Sequence, residues 1–240
     1  VAKTIVLTQF VDSPGAGIPA VDTTGSDAND VYLGVFANAV GDVIDGKGGD
    51  DTLKLNGAGN ATVALTSVER VESNAQGAST VNLAGSTGIK SLASVSSIAN
   101  LTYTGLAALV DTVEIKDATA GSLTVTYNGA TVAGTDDKQQ FLIDNSGSVD
   151  APIGTVNVNG VETFAITATG TNVLTGLTGD SLKTVTVTGA GNFRVNNDLA
   201  STVTTFDGSS STGNIRVGFL AGADVSVKTG SGNDRVDMNG

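Results

Sequence analysis

The stretch that decides the fold runs from Gly41 to Leu53 and reads GDVIDGKGGDDTL. It fits two consecutive copies of the nonapeptide Gly-Gly-x-Gly-x-Asp-x-U-x, in which U is a large apolar residue. Asp51 and Leu53 occupy the Asp and U positions of the second copy, and Asp42 and Ile44 occupy them in the first. This repeat is typical of chains that wind into a parallel β-solenoid.

The glycines and aspartates of this repeat also predict a calcium site. Glycine adopts backbone conformations that residues with a Cβ avoid, so the chain can turn tightly with its carbonyl oxygens pointing inward. Carbonyl and carboxylate oxygens at such a turn are the ligands that Ca²⁺ prefers, about 6–8 of them in an adaptable geometry. The candidate ligands in this stretch are Asp42, Asp45, Gly46, Gly48, Asp50 and Asp51.

Each repeat aspartate needs a stacking partner from a neighbouring coil. Successive nonapeptides lie on opposite edges of a coil, so the partner is expected roughly 18 residues away. Asp51 therefore requires a partner near position 33, provided that residues 33–40 contain a small insertion. The nearest candidates are Asp27, Asn29 and Asp30. We expect one or two calcium sites in this region.

A degenerate third copy of the repeat, TGSGNDRV, occupies residues 229–236. It places Asp234 at the aspartate position. No upstream partner for Asp234 is evident in the sequence, and a downstream partner would lie beyond Gly240. We therefore expect Asp234 to form half of a site.

The composition restricts the partners and the chemistry. The chain has 240 residues, with 24 acidic and 12 basic side chains and a net charge of −12. Such a balance argues against nucleic acid as a partner, because nucleic-acid binding calls for a basic patch. The absence of His and Cys removes the commonest transition-metal ligands and all disulfides. No apolar run approaches the ~20 residues of a transmembrane helix, so we expect no membrane insertion.

Beyond residue 52, short segments alternate between apolar and polar residues and are separated by Gly, Asn, Asp or Ser. Their spacing of about 8–12 residues is typical of an all-β fold. An antiparallel sandwich would use hairpin turns such as Asn128-Gly129, Asn159-Gly160 and Asp207-Gly208. Most turns lack these pairs, so we favour a continuous right-handed parallel β-solenoid, of the β-helix or β-roll type, with calcium-binding turns.

The sequence predicts three regions within this solenoid. An entry strand, a loop and the calcium-binding turns cover residues 1–60, the solenoid body covers 61–222, and a second repeat segment begins at 223–240. An acidic loop at 134–152 is expected to protrude from the body and to offer a contact surface. The chain is expected to be a fragment of a longer protein.

An internal echo relates two distant segments of the body. Val68-Glu69 and Val161-Glu162 share a Val-Glu pair that is followed by Thr-rich strands. Either glutamate could be a metal ligand. We favour a structural hydrogen bond from each at a corner of the coil.

Several of these segments together resemble a known family. They are GSDAND at 25–30, the stretch at 41–53, VET at 161–163, FDGS at 206–209 and GSGND at 230–234. Over residues 24–240 the chain resembles the surface-layer (S-layer) proteins of Gram-negative bacteria that carry calcium-binding RTX repeats. The resemblance implies type I secretion, calcium-driven folding outside the cell, and a two-dimensional lattice of copies anchored on lipopolysaccharide at the cell surface.

Three functions remain open from the sequence. The favoured one is a self-assembling structural S-layer protein that is secreted and binds Ca²⁺. The alternative is an RTX adhesin or spacer module of a secreted calcium-binding protein. A polysaccharide-degrading β-helix enzyme is disfavoured, because without His or Cys the usual nucleophilic triads cannot form. The absence of Trp also removes the best stacking surface for sugars. We expect no catalytic residues.

Overall fold

The fold is a parallel β-solenoid of about 10 turns. The computed structural model describes residues 1–17, 19–220 and 224–239. Within these residues every strand pair is parallel, and the only helix is the short 3-10 turn Phe36–Asn38. The expected solenoid is confirmed, and the sandwich alternative is excluded because it requires antiparallel hairpins.

Twenty strands build the described part of the solenoid. In chain order they are β1 Thr4–Val6, β2 Thr24–Ser26, β3 Val31–Val35, β4 Val40–Lys47, β5 Thr52–Thr66, β6 Arg70–Asn82, β7 Ser91–Val95, β8 Leu101–Leu106, β9 Thr112–Lys116, β10 Leu123–Tyr127, β11 Lys138–Asp144, β12 Ile153–Val158, β13 Thr163–Thr169, β14 Thr171–Thr178, β15 Thr184–Gly189, β16 Asn192–Val195, β17 Thr205–Ser211, β18 Ile215–Leu220, β19 Ser226–Lys228 and β20 Arg235–Asn239.

The strands form two stacks that face each other across the core. The odd-numbered strands pair with one another in the first stack, and the even-numbered strands pair in the second. β5 and β6 are long enough to contribute one half to each stack. The chain therefore passes once through each stack in every coil.

The coil is longer than the repeat predicts. Val31 pairs with Thr52, 21 residues later, and Thr163 pairs with Thr184 at the same separation. The expected step of 18 residues occurs from Thr52 to Arg70. The expectation of a uniform 18-residue step was wrong because the turns between the strands hold extra residues that the strand pattern does not reveal.

Alternation along the strands fills the core. In β13 the side chains of Phe164, Ile166 and Ala168 are buried, while those between them face outward. Because successive side chains of a strand point to opposite faces, each strand contributes every second residue to the interior. Phe141 and Phe164 meet inside in an edge-to-face contact, with ring centroids 5.1 Å apart.

The acidic segment at 134–152 is not a single protruding loop. Its middle forms β11, and Gln139, Phe141 and Ile143 are buried there. The apolar residues at alternate positions pull this part of the segment into the core. Only the chain on either side of β11 leaves the regular coil, and Val113 consequently pairs with Phe141, 28 residues later.

The predicted region boundaries do not coincide with breaks in the sheet. β5 runs through the boundary between residues 60 and 61 as a continuous strand. The boundary between 222 and 223 lies outside the described residues. A search of the described residues for a helix long and apolar enough to cross a membrane finds none.

Two neighbouring residues of β11 test the direction of its side chains. Phe141 is fully buried, whereas Leu142 is 38% exposed. Phe141→Ala should lower the free energy of unfolding by about 3–5 kcal/mol, because it removes core contacts and leaves a cavity. Leu142→Ala should change it by less than about 1 kcal/mol. Urea unfolding of both variants measures the difference, and similar losses would contradict the assigned register.

Candidate metal centre

Three successive turns meet at one edge of the solenoid, immediately before strands of the first stack. They are residues 25–30, 46–51 and 67–69. The Gly48 N–H donates to the Ser26 carbonyl at 3.1 Å, and the Glu69 N–H donates to the Asp51 carbonyl at 3.1 Å. We call this edge the acidic corner. It brings together most of the residues that the sequence predicts as calcium ligands.

A ladder of carboxylates connects the coils at the acidic corner. The Lys3 N–H donates to Asp30 Oδ1 at 2.5 Å, the Asp30 N–H to Asp51 Oδ1 at 2.6 Å, and the Asp51 N–H to Glu69 Oε2 at 2.9 Å. Each acidic side chain thus satisfies a backbone donor of the preceding coil. The Asp137 N–H donates to Glu162 Oε2 in the same way, at 2.9 Å. The predicted corner hydrogen bonds of Glu69 and Glu162 are confirmed.

Asp30 is fully occupied by donors of the protein. Besides the Lys3 N–H, its carboxylate accepts the Ser26 N–H and the Ser26 hydroxyl. Burial opposes ionisation, but the hydrogen bonds from Lys3 and Ser26 outweigh it, so the pKa of Asp30 lies below its ordinary value. Asp30 is therefore ionised and acts as a structural hydrogen-bond acceptor.

Asp51 has one oxygen that no donor satisfies. Its side chain is fully buried, Oδ1 accepts the Asp30 N–H, and Oδ2 has no hydrogen-bond partner among the described residues. Burial raises the pKa of Asp51, and the nearby charges of Asp30 and Glu69 raise it further. An unpaired buried carboxylate oxygen is costly, so a proton or a cation is needed beside it.

The place that Asp51 Oδ2 faces can hold only a glycine. A Cβ added to Gly46 would lie 2.2 Å from Asp51 Oδ2 and 1.9 Å from the Ser67 carbonyl oxygen. A carboxylate oxygen and a carbonyl oxygen therefore approach the same point. Gly25 meets the Gly46 carbonyl in the same manner, since its Cβ would lie 2.2 Å from that oxygen. Closely approaching oxygens of this kind suit a hard cation.

The exposed members of the predicted set surround this point but have other contacts. Asn29 Oδ1 accepts the Asp50 N–H at 3.0 Å, and Asp27 lies against Gly48. Asp45 forms an ion pair with Lys47 at 2.6 Å. Within the described ranges, no three His, Cys, Asp or Glu side chains are grouped so that they could hold a metal ion. The predicted ligands do not form a single carboxylate cage.

Asp42 does not belong to the acidic corner. It lies inside β4, where its side chain is buried and its Oδ1 accepts the Asp12 N–H at 2.8 Å. The expectation that Asp42 fills a repeat turn was wrong because the chain continues as a strand from Val40 to Lys47. The adjacent loop contributes Asp12, which no sequence pattern pointed to.

Asp12 and Asp42 form a pair of buried carboxylates. The carboxylate of Asp12 accepts the Thr8 N–H, the Thr8 hydroxyl and the Val21 N–H. Asp42 Oδ2 has no partner among the described residues. Burial raises the pKa of Asp42 to about 6, and the charge of Asp12 adds to the effect.

Asp234 lies in the second stack, far along the chain from the acidic corner. It does have an upstream partner, since its Oδ1 accepts the Ile215 N–H at 2.8 Å. The Asn233 N–H donates to Asn214 Oδ1 at 2.7 Å. The expectation that no upstream coil reaches Asp234 was wrong, because the step here is 19 residues, from Arg216 to Arg235.

None of the protein-family models, curated proteins or solved structures compared with this chain matches it. Membership of a family is therefore not shown. The chemistry of the acidic corner follows from its own residues: one buried, unpaired carboxylate oxygen at Asp51, a carbonyl oxygen at Ser67, and a glycine that leaves room beside both.

The Asp12–Asp42 pair should make stability depend on pH. A carboxyl whose pKa is about 6 in the folded state binds more protons there than in the unfolded chain. Stability should therefore fall by about 3 kcal/mol as the pH rises from 4 to 6. Asp42→Asn should remove this part of the slope, while Asp150→Asn at an exposed position should leave it. Urea unfolding at pH 4, 5, 6 and 7 measures both, and equal slopes would contradict the assignment.

Proposed function

We propose that this chain is a secreted, calcium-dependent structural protein that assembles with copies of itself into a layer on a bacterial cell surface. The observation that carries the proposal is the buried Oδ2 of Asp51, which has no donor. The proposal has two steps. Ca²⁺ first completes the acidic corner, and the completed solenoid then associates with further copies.

The first step rests on the chemistry of the oxygens at the acidic corner. Asp51 Oδ2 and the Ser67 carbonyl both approach Gly46, and neither atom can donate a hydrogen bond to the other while Asp51 is ionised. Ca²⁺ is bound by oxygen ligands and tolerates irregular geometry. We assign Asp51 and the Ser67 carbonyl as the inner ligands. The exposed carboxylates of Asp27 and Asp50 lie on the rim, where they and water would supply the remaining oxygens.

Calcium at this position would stabilise the fold through charge. The chain carries 24 acidic and 12 basic residues, and a large net charge destabilises a compact state by self-repulsion. A divalent cation at Asp51 would offset the repulsion among Asp30, Asp51 and Glu69, which occupy three successive coils. Because binding free energy then contributes to folding free energy, the solenoid would fold best where calcium is abundant. Such conditions prevail outside the cell.

The second step rests on the shape and the surface of the solenoid. A stack of about ten similar coils gives a long body with two flat faces. Repeat architectures of this kind present extended surfaces for contact with partners. The chain has neither His nor Cys, so it lacks the residues of common nucleophilic sites. Assembly of copies into a lattice uses such a body directly, and anchoring on lipopolysaccharide would involve a region outside this chain.

The calcium step is tested by thermal unfolding of Asp51→Asn in calcium and in chelator. Asn keeps the Oδ1 acceptor for the Asp30 N–H but removes the charge. The natural chain should gain about 3 kcal/mol of stability at a calcium concentration 100 times its Kd. Asp51→Asn should gain little, whereas the matched surface variant Asp136→Asn should gain as much as the natural chain. Equal gains in both variants would remove Asp51 from the site.

The assembly step is followed in the same samples by light scattering and electron microscopy. Sheets that appear on adding calcium, at a threshold protein concentration, would support a surface layer. A protein that binds calcium, folds and stays monomeric would instead identify a spacer or adhesin module. Cleavage of a polysaccharide by the purified chain would contradict a purely structural role.

A further inference from the structure

A second repeat, unrelated to the acidic corner, places arginines in a row. The pattern Asn-x-Arg-Val occurs at residues 192–195, 214–217 and 233–236. These copies contain three of the four arginines of the chain. Arg194 pairs in register with Arg216, and Arg216 pairs with Arg235. The three arginines therefore stack at the same position on three consecutive coils, about 4.8 Å apart from strand to strand.

Asparagines form a parallel row beside the arginines. The Asn214 N–H donates to Asn192 Oδ1 at 3.1 Å, and the Asn233 N–H donates to Asn214 Oδ1 at 2.7 Å. The backbone thus uses the carbonyl oxygens of Asn192 and Asn214. Their side-chain NH₂ groups have no acceptor among the described residues, and both asparagines are exposed. Each coil in this region therefore presents amide donors next to a guanidinium.

The two rows line a groove of about 280 Å³ on the second stack, and the exposed Val149 forms part of its wall. None of the described residues that line the groove is Asp or Glu. Arg194 contacts Asn196 at 2.7 Å, whereas Arg216 and Arg235 both contact Asp237, at 3.7 and 2.8 Å. Three guanidinium groups thus share one carboxylate. In a chain of net charge −12, this groove is a local concentration of positive charge.

We propose that this groove binds an acidic polysaccharide, with one carboxylate-bearing sugar opposite each coil. Arginine is suited to this ligand because its planar guanidinium can donate two parallel hydrogen bonds to a carboxylate. The free amide NH₂ groups of the asparagines match sugar hydroxyl oxygens. A linear polymer that repeats both an anion and hydroxyl groups satisfies every rung of the groove, which a single small anion would not.

The alternatives fit the groove less well. A nucleic-acid strand would gain affinity from aromatic rings that stack on its bases, but the only aromatic side chain lining the groove, Phe193, is fully buried. An acidic surface of a second copy would meet a narrow groove rather than a flat patch. The groove lies on coils remote in sequence from the acidic corner, so this proposal does not rest on calcium binding or on lattice formation.

Isothermal titration calorimetry with a hexamer of a uronic acid tests the proposal. A neutral hexamer of glucose serves as the ligand control, and both titrations contain calcium and about 150 mM salt. Arg194→Gln/Arg216→Gln should weaken uronate binding at least about tenfold for each lost arginine. Lys138→Gln/Lys183→Gln removes the same charge from exposed positions outside the groove and should leave the Kd within about twofold. Arg194→Lys/Arg216→Lys keeps the charge but loses the paired hydrogen bonds, and should bind with intermediate affinity.

The outcomes separate the possible occupants. Equal binding of the neutral hexamer, or equal weakening in the lysine control, would overturn the proposal. Tighter binding of single-stranded RNA or of polyphosphate than of the uronate hexamer would also overturn it and identify a phosphate ligand. Loss of self-association in the arginine variants, with no uronate binding by the natural chain, would identify a second copy as the occupant. Unchanged thermal unfolding of each variant confirms that losses of binding are not losses of folding.

Discussion

The structure depends on carboxylates that accept backbone N–H groups from the preceding coil. The two stacks satisfy their own backbone groups through parallel ladders, but the turns between the stacks leave donors that the ladders do not reach. Asp30, Asp51 and Glu69 supply the missing acceptors on consecutive coils, and Glu162 repeats the arrangement further along. One acidic side chain per turn thus fixes the height and the register of the next coil.

This solution has an electrostatic cost, because it buries negative charge near negative charge. Asp30 meets the cost with several donors, which lower its pKa. Asp51 and Asp42 have only one donor each, and burial raises the pKa of both. The acidic corner is therefore both a connection between coils and a place where charge must be neutralised. Solvent conditions, in particular pH and divalent cations, then control the stability of the N-terminal coils.

The C-terminal coils distribute their charge differently. There the corner acceptors are mostly neutral asparagines, which complete the backbone hydrogen bonds without adding negative charge. The exposed positions next to them hold arginines in register. The same coil geometry thus produces an anionic edge at one end of the chain and a cationic groove towards the other. A solenoid can carry two such sites independently, since each coil contacts only its neighbours.

By itself, the sequence determined the all-β architecture, the parallel winding, the glycine corners and the hydrogen bonds of Glu69 and Glu162, because these depend on short, local patterns. Only the tertiary structure decided which residues stack. The step from coil to coil depends on the length of every turn, so Asp51 lies over Asp30 at 21 residues rather than near position 33. The same uncertainty hid the contact of Asp42 with Asp12 and the row formed by Arg194, Arg216 and Arg235. A periodic pattern shows that coils exist, but only the folded turns determine which side chains they bring together.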